Sequence, residues 1–198
     1  MTSKTMVQRT LFRFRASWVK RFHTHSSINT EHLGQHSHTV AMIVSQVYPA
    51  CSKTLLMAAL EHDLPEFITG DTPAPAKWQS ASLDEALGNL ESLVMNDWGL
   101  TRPDDLLPYE RALLKWADMA ALVLFCHKEV TMGNSTMQHT LDTGFKVMLD
   151  RAGKMLKDAS ASNSPNLHLM AAQAMDFSTE LFETLKGYKH DQQDSVAV

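Results

Sequence analysis

Leu55-Leu56-Met57-Ala58-Ala59-Leu60-Glu61-His62-Asp63 is a helix-forming run, apolar enough to lie in a core, that ends on three adjacent ionisable side chains. Such side chains are seldom buried unless they are paired or bind a metal. On this stretch alone, a ligand-bearing turn and the wet end of a core helix are equally good readings. The next residues decide where the run stops. Leu64-Pro65 disfavours helical geometry at Leu64, so the helix from Lys53 should break just after His62-Asp63.

Working outward, helical signals dominate. The spacing of Val7, Leu11, Phe14 and Trp18 predicts a helix over residues 6–20. A second should start near Asn29 or Thr30, either of which can cap it, and run to Val47 before Pro49. Thr69 to Pro75 reads as a loop by its glycine and two prolines. Ser82-Leu83-Asp84-Glu85 has capping-box spacing and opens a helix that Gly99 can close. Thr101 to Pro108 is a polar link. Helices should follow over Tyr109–Met132, Thr136–Lys157 and from Pro165 to about Gly187, with a polar linker at Asp158–Asn163. No strand pattern or repeat is present. The expectation is an all-α, single-domain helical bundle over residues 1–190, with 191–198 as a disordered tail.

The 198 residues are 44% hydrophobic and 20% charged, a globular balance. No apolar run is long enough to cross a bilayer, which argues against a membrane partner. Two cysteines, Cys51 and Cys126, lack paired spacing and suit a reducing, cytoplasmic setting with both thiols buried. Residues 1–30 carry Lys4, Arg9, Arg13, Arg15, Lys20 and Arg21 and no acid. Such a segment could be a targeting peptide, a nucleic-acid face or one wall of an anionic substrate pocket; the third fits the motifs best.

Four polar positions sit badly on apolar faces: His36, His62, Asp63, and Asp118 within the most apolar helix. Singly, each has an ordinary explanation as a hydrogen-bonded or solvated side chain. Together, two imidazoles and two carboxylates suit a divalent transition metal or Mg²⁺. Such an ion acidifies a bound water and neutralises phosphoryl charge. Three helices delivering the ligands would hold them rigidly.

His36, His62-Asp63 and Asp118 resemble the H…HD…D signature of the HD-domain metal-dependent phosphohydrolases. The flanks sharpen the likeness: Arg21-Phe22, Ile28-Asn29-Thr30-Glu31, Gln35-His36-Ser37, His62-Asp63-Leu64-Pro65-Glu66, Thr69 to Lys77, and Lys115-Trp116-Ala117-Asp118 with Gly133-Asn134. Over residues 10 to 158 the chain is similar to the small bacterial 5'-deoxynucleotidases, and to phage-type deoxynucleoside triphosphate hydrolases of the same fold. The resemblance implies an HD-type helical bundle whose metal core spans about residues 21–134. It implies one divalent ion, Co, Mn, Zn or Mg, held by His36, His62, Asp63 and Asp118. Glu66 would position the attacking water or handle its proton, and Arg21 would orient a phosphate. Asp71 would line the sugar pocket, where it can bind a 3'-hydroxyl and leave no room for a 2'-hydroxyl. Thr72, Pro73 and Ala74 would cover the base or sugar. Phe22 stands where those enzymes typically have tryptophan, a departure that bears on base preference. Glu61 falls outside the site.

The implied reaction is hydrolysis of 2'-deoxynucleotides at the α-phosphorus. It gives deoxynucleoside plus phosphate from a monophosphate, or triphosphate from a triphosphate, with dATP the first choice. A phosphodiesterase acting on dinucleotides is the alternative enzyme; a nucleic-acid-binding helical module is the non-enzymatic one, and it leaves the buried acids unexplained. The resemblance also implies a homo-oligomer in the cytoplasm, or the host cytoplasm for a phage gene. The methionine-rich later helices could supply its interface.

Overall fold

The computed structural model describes residues 4–162 and 164–194. Its elements are α1 (Met6–Ala16), α2 (Leu33–Val47), α3 (Lys53–Glu61), α4 (Glu66–Thr69), α5 (Ala74–Gln79), α6 (Ala81–Trp98), α7 (Pro108–Thr131), α8 (Gln138–Ala161) and α9 (Pro165–Asp194). Among the described residues there is no strand, only an isolated antiparallel bridge between Lys20 and His32. The all-α expectation holds. No described helix is long and apolar enough to cross a membrane.

Several boundaries move, each for a local reason. The first helix stops at Ala16 rather than residue 20. Beyond it, the Val19 carbonyl accepts from the Leu33 N–H and the Arg21 N–H donates to Glu31. That pairing also delays α2 to Leu33, past both expected caps. Gly34 permits the approach, since a Cβ there would stand 2.8 Å from the Ser17 Cβ. Ser80, not Ser82, caps α6: its Oγ accepts from the Leu83 N–H at 3.3 Å. Gly99 closes α6 in the left-handed region, at φ 61°, as expected. The 158–163 linker is largely helical, α8 reaching Ala161. α9 continues through Gly187 to Asp194, into the segment expected as a tail; 195–198 lie outside the described residues.

Contacts gather the chain into two compact units. The first comprises the residues up to Ala41 together with Ser52–Leu107. Phe12, Ala16, Leu64, Val94, Met95 and Leu100 form a core in it, with Trp98 packed against them. Phe12 stacks on Trp98 at 4.3 Å between centroids and meets Phe67 edge-on at 5.6 Å. Phe12 and Ala16 face inward, whereas Val7, Leu11, Phe14 and Trp18, the stripe read from the sequence, are exposed. Periodicity identifies an apolar face but not which side of the helix the rest of the chain covers.

The second unit comprises Met42–Cys51 and the chain from Pro108 onward. In it α7 packs on α8, and α8 on α9. Trp116, fully buried, donates from Nε1 to Ser178 Oγ at 3.1 Å and meets Phe177 edge-on. Met137, Met148, Met155 and Met170 are buried in this core. They fill space between helices, whereas Met132 is 50% exposed. Cys126 is buried, but Cys51 is only half-buried, and neither forms a disulfide.

Candidate metal centre and active site

α3 delivers the His-Asp pair as the sequence predicts. Ser52 caps its start by accepting from the Leu55 N–H, and His62 is its C-terminal cap. The His62 ring nitrogen Nδ1 lies 3.0 Å from the Ala59 carbonyl oxygen. A carbonyl carries no proton, so Nδ1 must be the donor, which leaves the Nε2 lone pair for another partner. Nε2 stands 3.4 Å from Asp63 Oδ2. His36, fully buried on α2, brings its Nε2 to 3.6 Å from the same oxygen.

Three donor atoms therefore converge from α2 and from the end of α3. Donors about 2.1 Å from a shared ion stand roughly 3.0–3.4 Å apart, so the observed spacing needs only a small closure. Imidazole and carboxylate together suit Zn²⁺ and the other divalent ions already considered. The cluster can hold a divalent metal ion. Asp118, the remaining expected ligand, is half-buried on α7 in the second unit.

Arg21, Phe22, Glu66 and Asp71 lie around this centre. Arg21 Nη1 donates to Asp63 Oδ2 at 2.5 Å and Nε to Glu31 Oε2 at 3.2 Å, so its guanidinium is fixed between two carboxylates. Of the basic residues in the first thirty, Arg21 is the one that reaches the His-Asp pair; Arg13 turns to Glu61. Phe22 has φ 55°, a left-handed conformation that costs a residue with a Cβ about 1–2 kcal/mol. Its N–H donates to Asp71 Oδ2 at 2.9 Å, which ties the 70–73 turn to Arg21-Phe22. His23 Nδ1 is 3.7 Å from the same oxygen. Thr72 and Pro73 are half-buried and Ala74, the first residue of α5, is exposed.

Glu66 opens α4 and is buried, with Oε2 lacking a hydrogen-bond partner among the described residues. Burial, reinforced by the Asp63 carboxylate, pushes its carboxyl up from 4.5 to about 9, against the smaller opposing effect of Arg21. A neutral acid at pH 7 within the field of Asp63 is poised to ionise when positive charge arrives there. An acid with a raised folded pKa keeps its proton in the fold after the unfolded chain has lost it. Folding then takes up a proton between about pH 4.5 and 9, and stability falls as pH rises through that window. Urea midpoints of chelator-treated protein at pH 5, 7 and 9 should show this decline, with a slope of at most about 1.4 kcal/mol per pH unit. Glu66→Gln should flatten it; an unchanged slope would assign the decline to other groups.

Glu61 is the residue whose role the sequence concealed. It is buried, accepts from Arg13 Nε at 2.6 Å on one oxygen, and accepts from the Thr101 N–H at 2.8 Å on the other. Arg13 Nη2 also donates to the Gly99 carbonyl at 3.1 Å. One carboxylate thus joins α1, the end of α3 and the turn after α6, immediately before the His-Asp pair. Only the unusual burial of an acid next to His62 hinted at this; the partners lie 48 and 40 residues away.

A helical fold that presents two imidazoles and an aspartate around one point, with an arginine beside them, is the arrangement of HD-type metal-dependent phosphohydrolases. Residues 10–157 match the family described as 5'-deoxynucleotidase YfbR-like, and the chain belongs to that family. It is similar to the 5'-deoxynucleotidase YfbR of Salmonella arizonae, 22% identical over 177 residues that cover 78% of this chain and 89% of the relative. It is also similar to the 5'-deoxynucleotidase ECA3034 of Pectobacterium atrosepticum, 24% identical over 143 residues, 61% of this chain and 72% of the relative. Among solved structures, the cyanophage S-2L HD phosphohydrolase DatZ, bound to dA and one catalytic Zn²⁺ ion, shares the fold. Its TM-score is 0.66 at 21% identity, covering 94% of this chain and 99% of that one. The chain is a metal-dependent deoxynucleotide phosphohydrolase.

Proposed function

We propose that the enzyme hydrolyses 2'-deoxynucleotides at the α-phosphorus, with the 5'-oxygen leaving as part of the deoxynucleoside. A monophosphate yields phosphate and a triphosphate yields triphosphate. The observation that carries this reading is the convergence of His36 Nε2 and His62 Nε2 on one Asp63 oxygen, beside an arginine suited to a phosphate. In this reading Asp118 of α7 completes the ligand set, and the two compact units form one domain, as the unbroken family match across both supports. When bound, a single divalent ion supplies Lewis acidity and charge neutralisation at the phosphoryl group. Zn²⁺ is the first ion to try, given the one held by DatZ, and deoxyadenosine nucleotides are the first substrates for the same reason.

The other roles belong to the chain's own side chains. Arg21 orients the phosphate. Glu66, whose carboxyl burial raises to about 9 and a bound cation would lower again, would, once ionised, take up and return the proton of the attacking water. Asp71 binds the 3'-hydroxyl, while Phe22, Thr72, Pro73 and Ala74 border the sugar and base. A cytoplasmic location, or the host cytoplasm for a phage gene, fits the two free thiols.

A panel of all dNMPs, dNTPs and their ribo-counterparts, with Zn²⁺, Co²⁺, Mn²⁺ or Mg²⁺ and product identification, tests the reading. Deoxynucleoside release from at least one deoxynucleotide, with the ribonucleotide slower, is expected. No deoxynucleoside from any of them would refute it. Elemental analysis should find one tightly held ion per chain; two would favour a diesterase.

A further inference from the structure

His23 follows Arg21 and Phe22 and has no task in the proposed hydrolysis. Its side chain is 50% exposed, so the ordinary reading is a solvated loop histidine. Its placement is more specific than that. The Phe22 carbonyl accepts from the His25 N–H at 2.9 Å, which closes residues 22–25 into a tight turn. The His25 ring rests edge-on against Phe22, with centroids 5.8 Å apart. His23 is a central residue of this turn. Its Nδ1 lies 3.7 Å from Asp71 Oδ2, about 0.5 Å beyond hydrogen-bond range.

Asp71 follows Gly70, whose φ of 75° turns the chain after α4, and its side chain is 19% exposed. The Phe22 N–H and the His23 ring both meet its Oδ2. Both contacts fall on one oxygen, so Oδ1 is the oxygen available to a ligand hydroxyl. A single hydrogen bond fixes one oxygen and lets the carboxylate swing about it. A second contact at the same oxygen restricts that swing and aims Oδ1.

We propose that His23 is a positioning residue for deoxyribose selection: by bracing Asp71 Oδ2 it aims Oδ1 at the 3'-hydroxyl. The inference rests on the sugar-binding role given to Asp71 in the proposed function. With nucleotide bound, the turn need close by only about 0.5 Å for Nδ1–H to donate, a tightening common when a site fills. Orientation is what separates the two sugars. Asp71 aimed at the 3'-oxygen stands where a 2'-hydroxyl would crowd it, and a carboxylate that swings freely accommodates both. His23 makes no polar contact with His36, His62 or Asp63, so its effect falls on the sugar and not on the ion.

Calorimetric binding of nucleosides to the metal-loaded full chain separates this role from a structural one. His23→Ala should bind deoxyadenosine about three- to tenfold more weakly than wild type, the range that one hydrogen bond spans. With 2',3'-dideoxyadenosine, which lacks the 3'-hydroxyl, the two proteins should bind alike. His23→Asn, whose amide nitrogen can stand where Nδ1 stands, should recover most of the loss. In turnover the alanine variant should show its loss in KM for dAMP rather than in kcat, and should narrow the preference for dAMP over AMP. A variant that loses helix or the tight metal site is replaced by His23→Ser, with the same outcomes required. An equal loss with both nucleosides would make His23 a structural residue and overturn the proposal. No loss with either nucleoside, or an asparagine variant no better than alanine, overturns it too. A wild type that binds both nucleosides equally removes the sugar role of Asp71 and this proposal with it, while the phosphohydrolase reading stands on the substrate panel. A wild type that hydrolyses no deoxynucleotide is the failure of that reading; it shows before any variant is made and takes this proposal with it.

Discussion

His62→Ala should abolish deoxynucleotide hydrolysis while leaving the helical content intact. The imidazole is held from behind by the Ala59 carbonyl and offers Nε2 to the point where His36 and Asp63 converge. Removing it takes away one of the converging donors. A metal ion stabilises phosphoryl charge by several kcal/mol, so the rate should fall by about 10³-fold or more. Titration calorimetry with Zn²⁺ should show the tight site lost in the same variant. The side chain is 13% exposed and caps a helix through its backbone, so circular dichroism should match wild type. Wild-type activity in the variant would remove the metal centre from its place in the mechanism.

Glu61→Ala should act in the opposite sense, on the fold first. The substitution deletes a buried carboxylate that two donors share and leaves the Thr101 N–H without its acceptor. Breaking a buried pair costs about 3–5 kcal/mol. Arg13 is 30% exposed and can turn to water, so about 3 kcal/mol is expected. For a chain of this size that is a fall of roughly 6–12 °C in the melting midpoint. Glu61→Gln keeps an acceptor for Thr101 and should cost less. A loss below about 1 kcal/mol in the alanine variant would mean that the three segments are joined by packing alone. Because Glu61 precedes the His-Asp pair, weaker metal binding should accompany the loss of stability.

These two neighbours mark what a sequence can and cannot disclose. His62-Asp63 was legible because its chemistry is unusual at a helix end and because Pro65 forces the chain to turn there. The helices themselves were legible from periodicity, and Gly99 as the end of α6 from the left-handed conformation it permits. Partners far apart in the chain were not. Nothing near Glu61 announces Arg13 or Thr101, and nothing near Trp116 announces Ser178. Local competition also misled: Ser80 and Ser82 are both good caps, and only the folded geometry puts the Ser80 hydroxyl on the Leu83 N–H. Asn29 and Thr30 could each have begun α2, but the chain there is drawn into the pairing of residues 19–21 with 31–33. The spacing of the α1 row disclosed the helix but not that the row faces solvent.

Phe22 carries a consequence for how such an enzyme can change. Its backbone would be more comfortable as glycine, which adopts a positive φ without penalty. A search for a sturdier protein would therefore find an easy gain at this position. The gain would remove the ring beside Arg21 on the proposed nucleotide side and loosen the turn that Asp71 holds through the Phe22 amide. Thermal robustness and nucleotide recognition thus pull one residue in opposite directions, and the phenylalanine at 22 records which of them has prevailed.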